Sequence, residues 1–173
     1  MTTGLRTYLL NKAAAMGAAA IRWPAGRDWH EVIEATVVAD DVSGVRKLAI
    51  RGWEFLGDSG PDFGGQSRGP SSPELFCGVI GTCLTHTYLI GAAVQGVPLD
   101  RVAVTVTAEN NDARFLAIET SDPPVPFNLV ARVMIDAEGV PVEAIAALHT
   151  YVEERCPLTQ LIRGAYDLTI LTT

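Results

Sequence analysis

The sequence is short of charge. Only 19% of its 173 residues are charged, aromatic residues make up 7%, and basic side chains are outnumbered 13 to 20. The net charge of −7 and a pI near 4.9 leave no basic footprint for a phosphate backbone, so nucleic acid is not an expected partner. Cysteine is scarce and odd in number, with three residues whose spacing fits no secreted disulfide scaffold. No internal repeat or low-complexity tract interrupts the chain. What remains is apolar: 48% of residues are hydrophobic and the mean hydropathy is +0.21. A disordered chain is excluded, and more surface is expected to be buried than one small monomer needs, which favours an oligomer.

The length suits about one domain. An Ala-rich run predicts a helix over residues 5–22, read as an N-terminal extension (1–25) leaning on the main domain (26–173) or on a partner, not as a cleaved export signal. A cytoplasmic location is the matching expectation. Strands are predicted at 31–39 and 45–56 around the turn DDVSG, then at 102–108, 114–119, 127–135 and 165–171. Residues 57–71 hold five Gly and two Pro, as expected of a long functional loop.

The most distinctive segment is SSPELFCGVIGTCLTHTYLIGAAVQG. Ser71 and Glu74 have capping-box spacing, Pro73 suits a first turn, and Gly96 follows the end. No charged residue occurs from Leu75 to Gln95, nearly the length of a membrane span. Its threonines, His86 and glycines favour instead the central helix of a soluble domain, covered on all sides by sheet and partner. A second helix is predicted at 142–155, and a short third one from Pro157. Helices and antiparallel-looking strands are grouped, so the fold class is α+β.

Cys83 lies midway along the central helix, where burial raises a thiol pKa and a cationic neighbour is needed. His86, three residues on, is one candidate; an arginine is better because its charge cannot be lost. Cys156 precedes Pro157 and can cap the following helix, where the positive helix end favours a thiolate. Cys77 and His86 read as core residues, and His149 as part of an exposed helix face. Trp53, Phe55, Phe63 and Phe76 are candidates to line an apolar pocket. Cys77, Cys83, His86 and Cys156 form a conceivable zinc set, but a six-residue separation puts Cys77 about 240° around the axis from Cys83. No metal or cofactor is expected.

The run GGQSRGPSSPELFCGVIGTCLTHTYLIGAAVQGVPLDRVAVTVTAE, followed by EERCPLTQ, resembles the osmotically inducible protein C (OsmC) and organic hydroperoxide resistance (Ohr) superfamily over roughly residues 31–171. The resemblance implies an OsmC-like fold with a long central helix on antiparallel sheet, and an intertwined homodimer. It implies reduction of organic hydroperoxides or hydrogen peroxide in oxidative stress, with Cys83 as the attacking thiolate, Cys156 as the resolving thiol and an external dithiol as reductant. Glu74 matches the family glutamate. The partner arginine is assigned first to Arg51, on a strand leading into the Gly-rich loop, with Arg46 and Arg68 as alternatives. Two features depart from the pattern: Cys77 is extra, and nine residues turn about 900° on a regular helix, setting Glu74 and Cys83 on opposite faces. The alternative function is an OsmC-fold small-molecule or acyl-chain binding dimer whose thiols do not turn over.

Overall fold

A computed structural model describes residues 4–23, 26–164, 166 and 168–171. Among the described residues, five strands and four α-helices follow in the order α1 (Leu5–Arg22), β1 (Thr36–Ala39), β2 (Arg46–Ile50), β3 (Trp53–Gly57), α2 (Ser72–Gln95), β4 (Arg101–Glu109), β5 (Phe127–Asp136), α3 (Val142–Arg155) and α4 (Pro157–Arg163). The class is α+β, with sheets β1-β2-β3 and β4-β5. The chain divides into two compact units, one of residues 1–25, 80–107 and 130–173, the other of 26–79 and 108–129.

The second unit holds the antiparallel sheet, in which Val37 faces Leu48 and Leu48 faces Phe55. Asp40 builds the β1–β2 turn: its Oδ1 accepts from the Val42 and Ser43 N–H groups and from Ser43 Oγ, and Lys47 donates to Oδ2 at 2.9 Å. The strand expected over 45–56 is two strands. Arg51-Gly52 makes a tight turn, Arg51 taking a φ of 55°, and Ile50 pairs with Trp53. The strand expected from residue 31 begins only at Thr36. The strand expected over 114–119 is a short 3-10 helix at Asp112–Leu116, because the Asn111 side chain accepts from Ala113 N–H and caps it. Residues 168–171 are not strand; residues 165 and 167 of that expectation lie outside the described residues.

In the first unit the Ala-rich run forms α1 with its expected bounds. Arg6 ties it down, donating from Nε and Nη2 to the two Asp100 carboxylate oxygens, both at 2.6 Å, and from Nη2 to the Glu138 carbonyl. Asp100 also accepts from Glu138 N–H. The Arg6 hydrogen bond, then the Glu138 N–H, hold the Asp100 carboxyl down at about 2. An unfolded carboxylate titrates near 3.9, so a depressed folded value means the tie is complete above roughly pH 4 and is lost as pH falls through about 2. Protection of α1 amides, taken relative to the intrinsic exchange rate at each pH, should therefore fall between pH 5 and pH 2 more than that of α3. An equal loss of protection in both helices would contradict that role.

α2 starts on the expected capping box: Glu74 Oε2 accepts from Ser71 N–H and Oγ, both at 2.7 Å. Gly96, at φ 67°, ends it. The helix is long and apolar enough to cross a membrane by length and composition. Its Ile80, Leu84, Thr87, Tyr88, Gly91, Ala92 and Ala93 are buried, in a unit whose α3 buries Leu148 and Val152. Gly91 permits a close approach there, since a Cβ would stand 2.7 Å from Tyr151 Cδ1 and 2.8 Å from Leu148 Cδ1. The helix is not covered on all sides in the single chain, where Phe76, Val79 and Val94 are exposed.

Candidate functional site: a paired thiol between α2 and α4

Cys156 closes α3, its N–H donating to the Val152 carbonyl at 2.9 Å, and stands at the N-cap of α4 with Pro157 at N1. A residue before proline avoids the α region. Cys156 accordingly turns to φ −69°, ψ 113°, and its side chain is completely buried. Cys83 is half-buried on α2. The two sulfurs lie 3.6 Å apart, and both cysteines are free. Thr87, one turn beyond Cys83 and buried, donates its hydroxyl to the Cys83 carbonyl at 2.9 Å and also acts on both sulfurs.

The two thiols differ in acidity in the direction the sequence suggested. Burial pushes the Cys83 thiol above its ordinary value and Cys156 reinforces this, against the opposing Leu158 N–H. None of these dominant influences is a cation. Burial also pushes Cys156 up, but the Thr159 hydroxyl and N–H, with Cys83 and Thr87, outweigh it, so Cys156 lies below its ordinary value. The two thiols titrate as one pair, in which burial opposes a Cys83 thiolate while the Thr159 hydroxyl and N–H favour a Cys156 thiolate. Exposure runs the other way: Cys156 is buried and Cys83 half-buried.

Two polar features were not legible in the sequence. His149 was expected on an exposed face, but it is half-buried and lies 2.7 Å, through Nδ1, from the Tyr88 hydroxyl. Burial, then the charges of Glu153 and Cys156, push Tyr88 up to about 12, so its phenol stays protonated at neutral pH. The available signal was spacing: seven residues separate His149 from Cys156, close to two helical turns. The other is Asp58, buried at the head of the Gly-rich loop, which accepts from the Ser59, Gln66 and Arg68 N–H groups at 2.7, 3.1 and 2.9 Å. A Cβ on Gly65 of this loop would collide with the Ser59 carbonyl.

The remaining candidates have local settings of their own. Glu74 is exposed, and its Ser71 hydrogen bonds hold its carboxyl below the usual range. Arg51 is exposed at the β2–β3 turn, not on a strand as expected. Arg46 donates to Ser59 Oγ at 3.5 Å, and Arg68 is exposed on the loop. Cys77 is half-buried. His86 is exposed, not core, and Lys12 Nζ lies 3.5 Å from its Nε2. Of the aromatic candidates, Trp53, Phe55, Phe63 and Phe76 are all exposed in the single chain. Among the described residues no three His, Cys, Asp or Glu side chains assemble to hold a metal ion.

A family profile described as OsmC-like protein matches residues 64–171, a span that includes both Cys83 and Cys156. Solved structures share the fold at low identity. An OsmC-like protein from Mycoplasma pneumoniae has TM-score 0.64 at 13% identity, the match covering 78% of this chain and 89% of that one. An organic hydroperoxide resistance protein OsmC from Legionella pneumophila, also described as a predicted redox protein, has TM-score 0.56 at 18% identity, covering 80% and 93%. An organic hydroperoxide resistance protein from Elizabethkingia anophelis has TM-score 0.56 at 19% identity, covering 80% and 92%. No curated protein matches this sequence.

Proposed function

We propose that this chain, which belongs to the OsmC-like protein family, is a thiol-dependent peroxidase that cycles Cys83 and Cys156 between dithiol and disulfide. The observation that carries the reading is the 3.6 Å separation of two free sulfurs on different helices. The substrates are organic hydroperoxides or hydrogen peroxide, the reductant is an external dithiol, and the site of action is the cytoplasm.

The chemistry balances on the pair alone. Cys156 takes the Cys83 proton, and the half-buried Cys83 thiolate attacks the outer peroxide oxygen. The O–O bond breaks, the alcohol leaves with a proton, and Cys83 becomes a sulfenic acid. Cys156 then attacks that sulfur, expelling water and closing the disulfide; a dithiol returns two electrons and two protons. On the family pattern Glu74 and an arginine steady the thiolate and the peroxide. Arg46 is engaged with Ser59, whereas no side-chain partner occupies Arg51 or Arg68 among the described residues. Those two are the arginines free to serve.

The functional unit in this proposal is a homodimer. Exposed apolar side chains on α2, Phe76 at 37% and Val79 at 55%, support a partner surface there. The raised Cys83 thiol favours a second reading, a binding dimer with idle thiols. Steady-state consumption of cumene hydroperoxide with dithiothreitol separates the two. Turnover that survives Cys77→Ser is expected of the peroxidase; a wild type that consumes no peroxide overturns it.

A further inference from the structure

The sulfurs sit beside a helix contact that carries a second polar tie, and the peroxide chemistry does not use it. Tyr88 is 4% exposed, and its hydroxyl meets His149 Nδ1 at 2.7 Å. The two rings meet edge to face, with centroids 5.5 Å apart and planes at 85°. Tyr88 follows Cys83 by five residues on α2, and His149 precedes Cys156 by seven on α3. α2 thus carries one sulfur and one member of the hydrogen-bonded pair, and α3 carries the other member and ends at the other sulfur. Apolar contacts, such as Gly91 against Leu148 and Tyr151, tolerate small slides along the groove. A hydrogen bond between a buried phenol and a ring nitrogen has a fixed length and direction, and leaving either group unpaired in this setting is costly.

We propose that Tyr88 and His149 are a positioning pair that fixes the register of α3 against α2, and thereby sets how readily Cys83 and Cys156 close to a disulfide. The inference rests on the dithiol–disulfide part of the proposed function, not on peroxide as the oxidant. Closing the bond removes two protons and two electrons and shortens the sulfur separation from 3.6 Å to about 2.05 Å. A pair held in register needs only that short approach. A pair free to slide samples many non-bonding arrangements, so its effective concentration falls.

The test is the equilibrium between dithiol and disulfide in buffers of oxidised and reduced dithiothreitol, followed by alkylation and mass. Wild type is compared with Tyr88→Phe, His149→Leu and His149→Asn in the full chain. Tyr88→Phe keeps the ring and removes only the hydroxyl; His149→Asn places an acceptor oxygen close to where Nδ1 stands. Tyr88→Phe and His149→Leu should each lower the disulfide constant about tenfold, a rise of about 30 mV in potential. His149→Asn should recover most of it. A bystander hydrogen bond would lower the melting temperature while leaving the potential in place. An unchanged constant in Tyr88→Phe, or His149→Asn falling as far as His149→Leu, overturns the inference. A wild type that forms the disulfide in dithiothreitol but ignores peroxide, with Tyr88→Phe still shifted, upholds the positioning pair and rejects the peroxidase.

Discussion

Cys83→Ser should abolish hydroperoxide consumption outright, whereas Cys156→Ser should still complete a first turnover. A serine hydroxyl is essentially never ionised at neutral pH, so the first variant has no nucleophile where a peroxide can reach. The second retains the Cys83 sulfur but has no thiol 3.6 Å away to resolve it. Its product is a sulfenic acid that a trapping reagent labels once per chain, after which steady turnover collapses. The acidities sharpen the comparison. Burial is the largest cause of the raised Cys83 thiol, and removing Cys156 relieves only the part that Cys156 adds. The first turnover in Cys156→Ser should therefore still speed up as pH rises. A pH-independent first turnover would show that another group, such as an arginine, activates Cys83. If Cys83→Ser keeps reducing peroxide while Cys156→Ser does not, the roles of the two thiols are reversed.

Val79→Asp should break the assembly. Val79 is 55% exposed on α2 of the single chain, near Phe76, on a helix with no charged side chain from Leu75 to Gln95. An obligate interface generally buries more than about 2,000 Å², with its centre depleted of charge. A carboxylate placed there has no cation on its own helix stretch, and its desolvation costs several kcal/mol in each subunit. Sedimentation of the wild type at micromolar concentration should give twice the 18.5 kDa chain mass, and Val79→Asp should give the chain mass. A monomeric wild type, or a variant that stays dimeric, contradicts the assignment of this face.

Local signals carried most of the helices. The capping box at Ser71 and Glu74, the proline after Cys156 and the Ala-rich run over 5–22 each act within a few residues, and the helices begin and end there. The strands were less legible because alternation outlasts pairing. Arg51-Gly52 looks like the interior of an apolar run, yet it is a turn, since pairing of β2 with β3 needs a reversal at that point. The Asn111 cap overrode an apolar stretch in the same way. In the site, Cys83 and Cys156 stood out because thiols are scarce. Tyr88, His149 and Asp58 did not: their meaning lies in a contact between α2 and α3 and in a loop folded back on one carboxylate. Neither is visible from neighbours in sequence.

One pair of sulfurs carries the proposed chemistry, so the decisive measurement is a thiol count before and after one equivalent of an organic hydroperoxide, with the disulfide mapped by peptide mass. Three free thiols per chain should fall to one, with Cys83 joined to Cys156 and Cys77 still free. Three thiols remaining after peroxide, or a bond that engages Cys77, would contradict it.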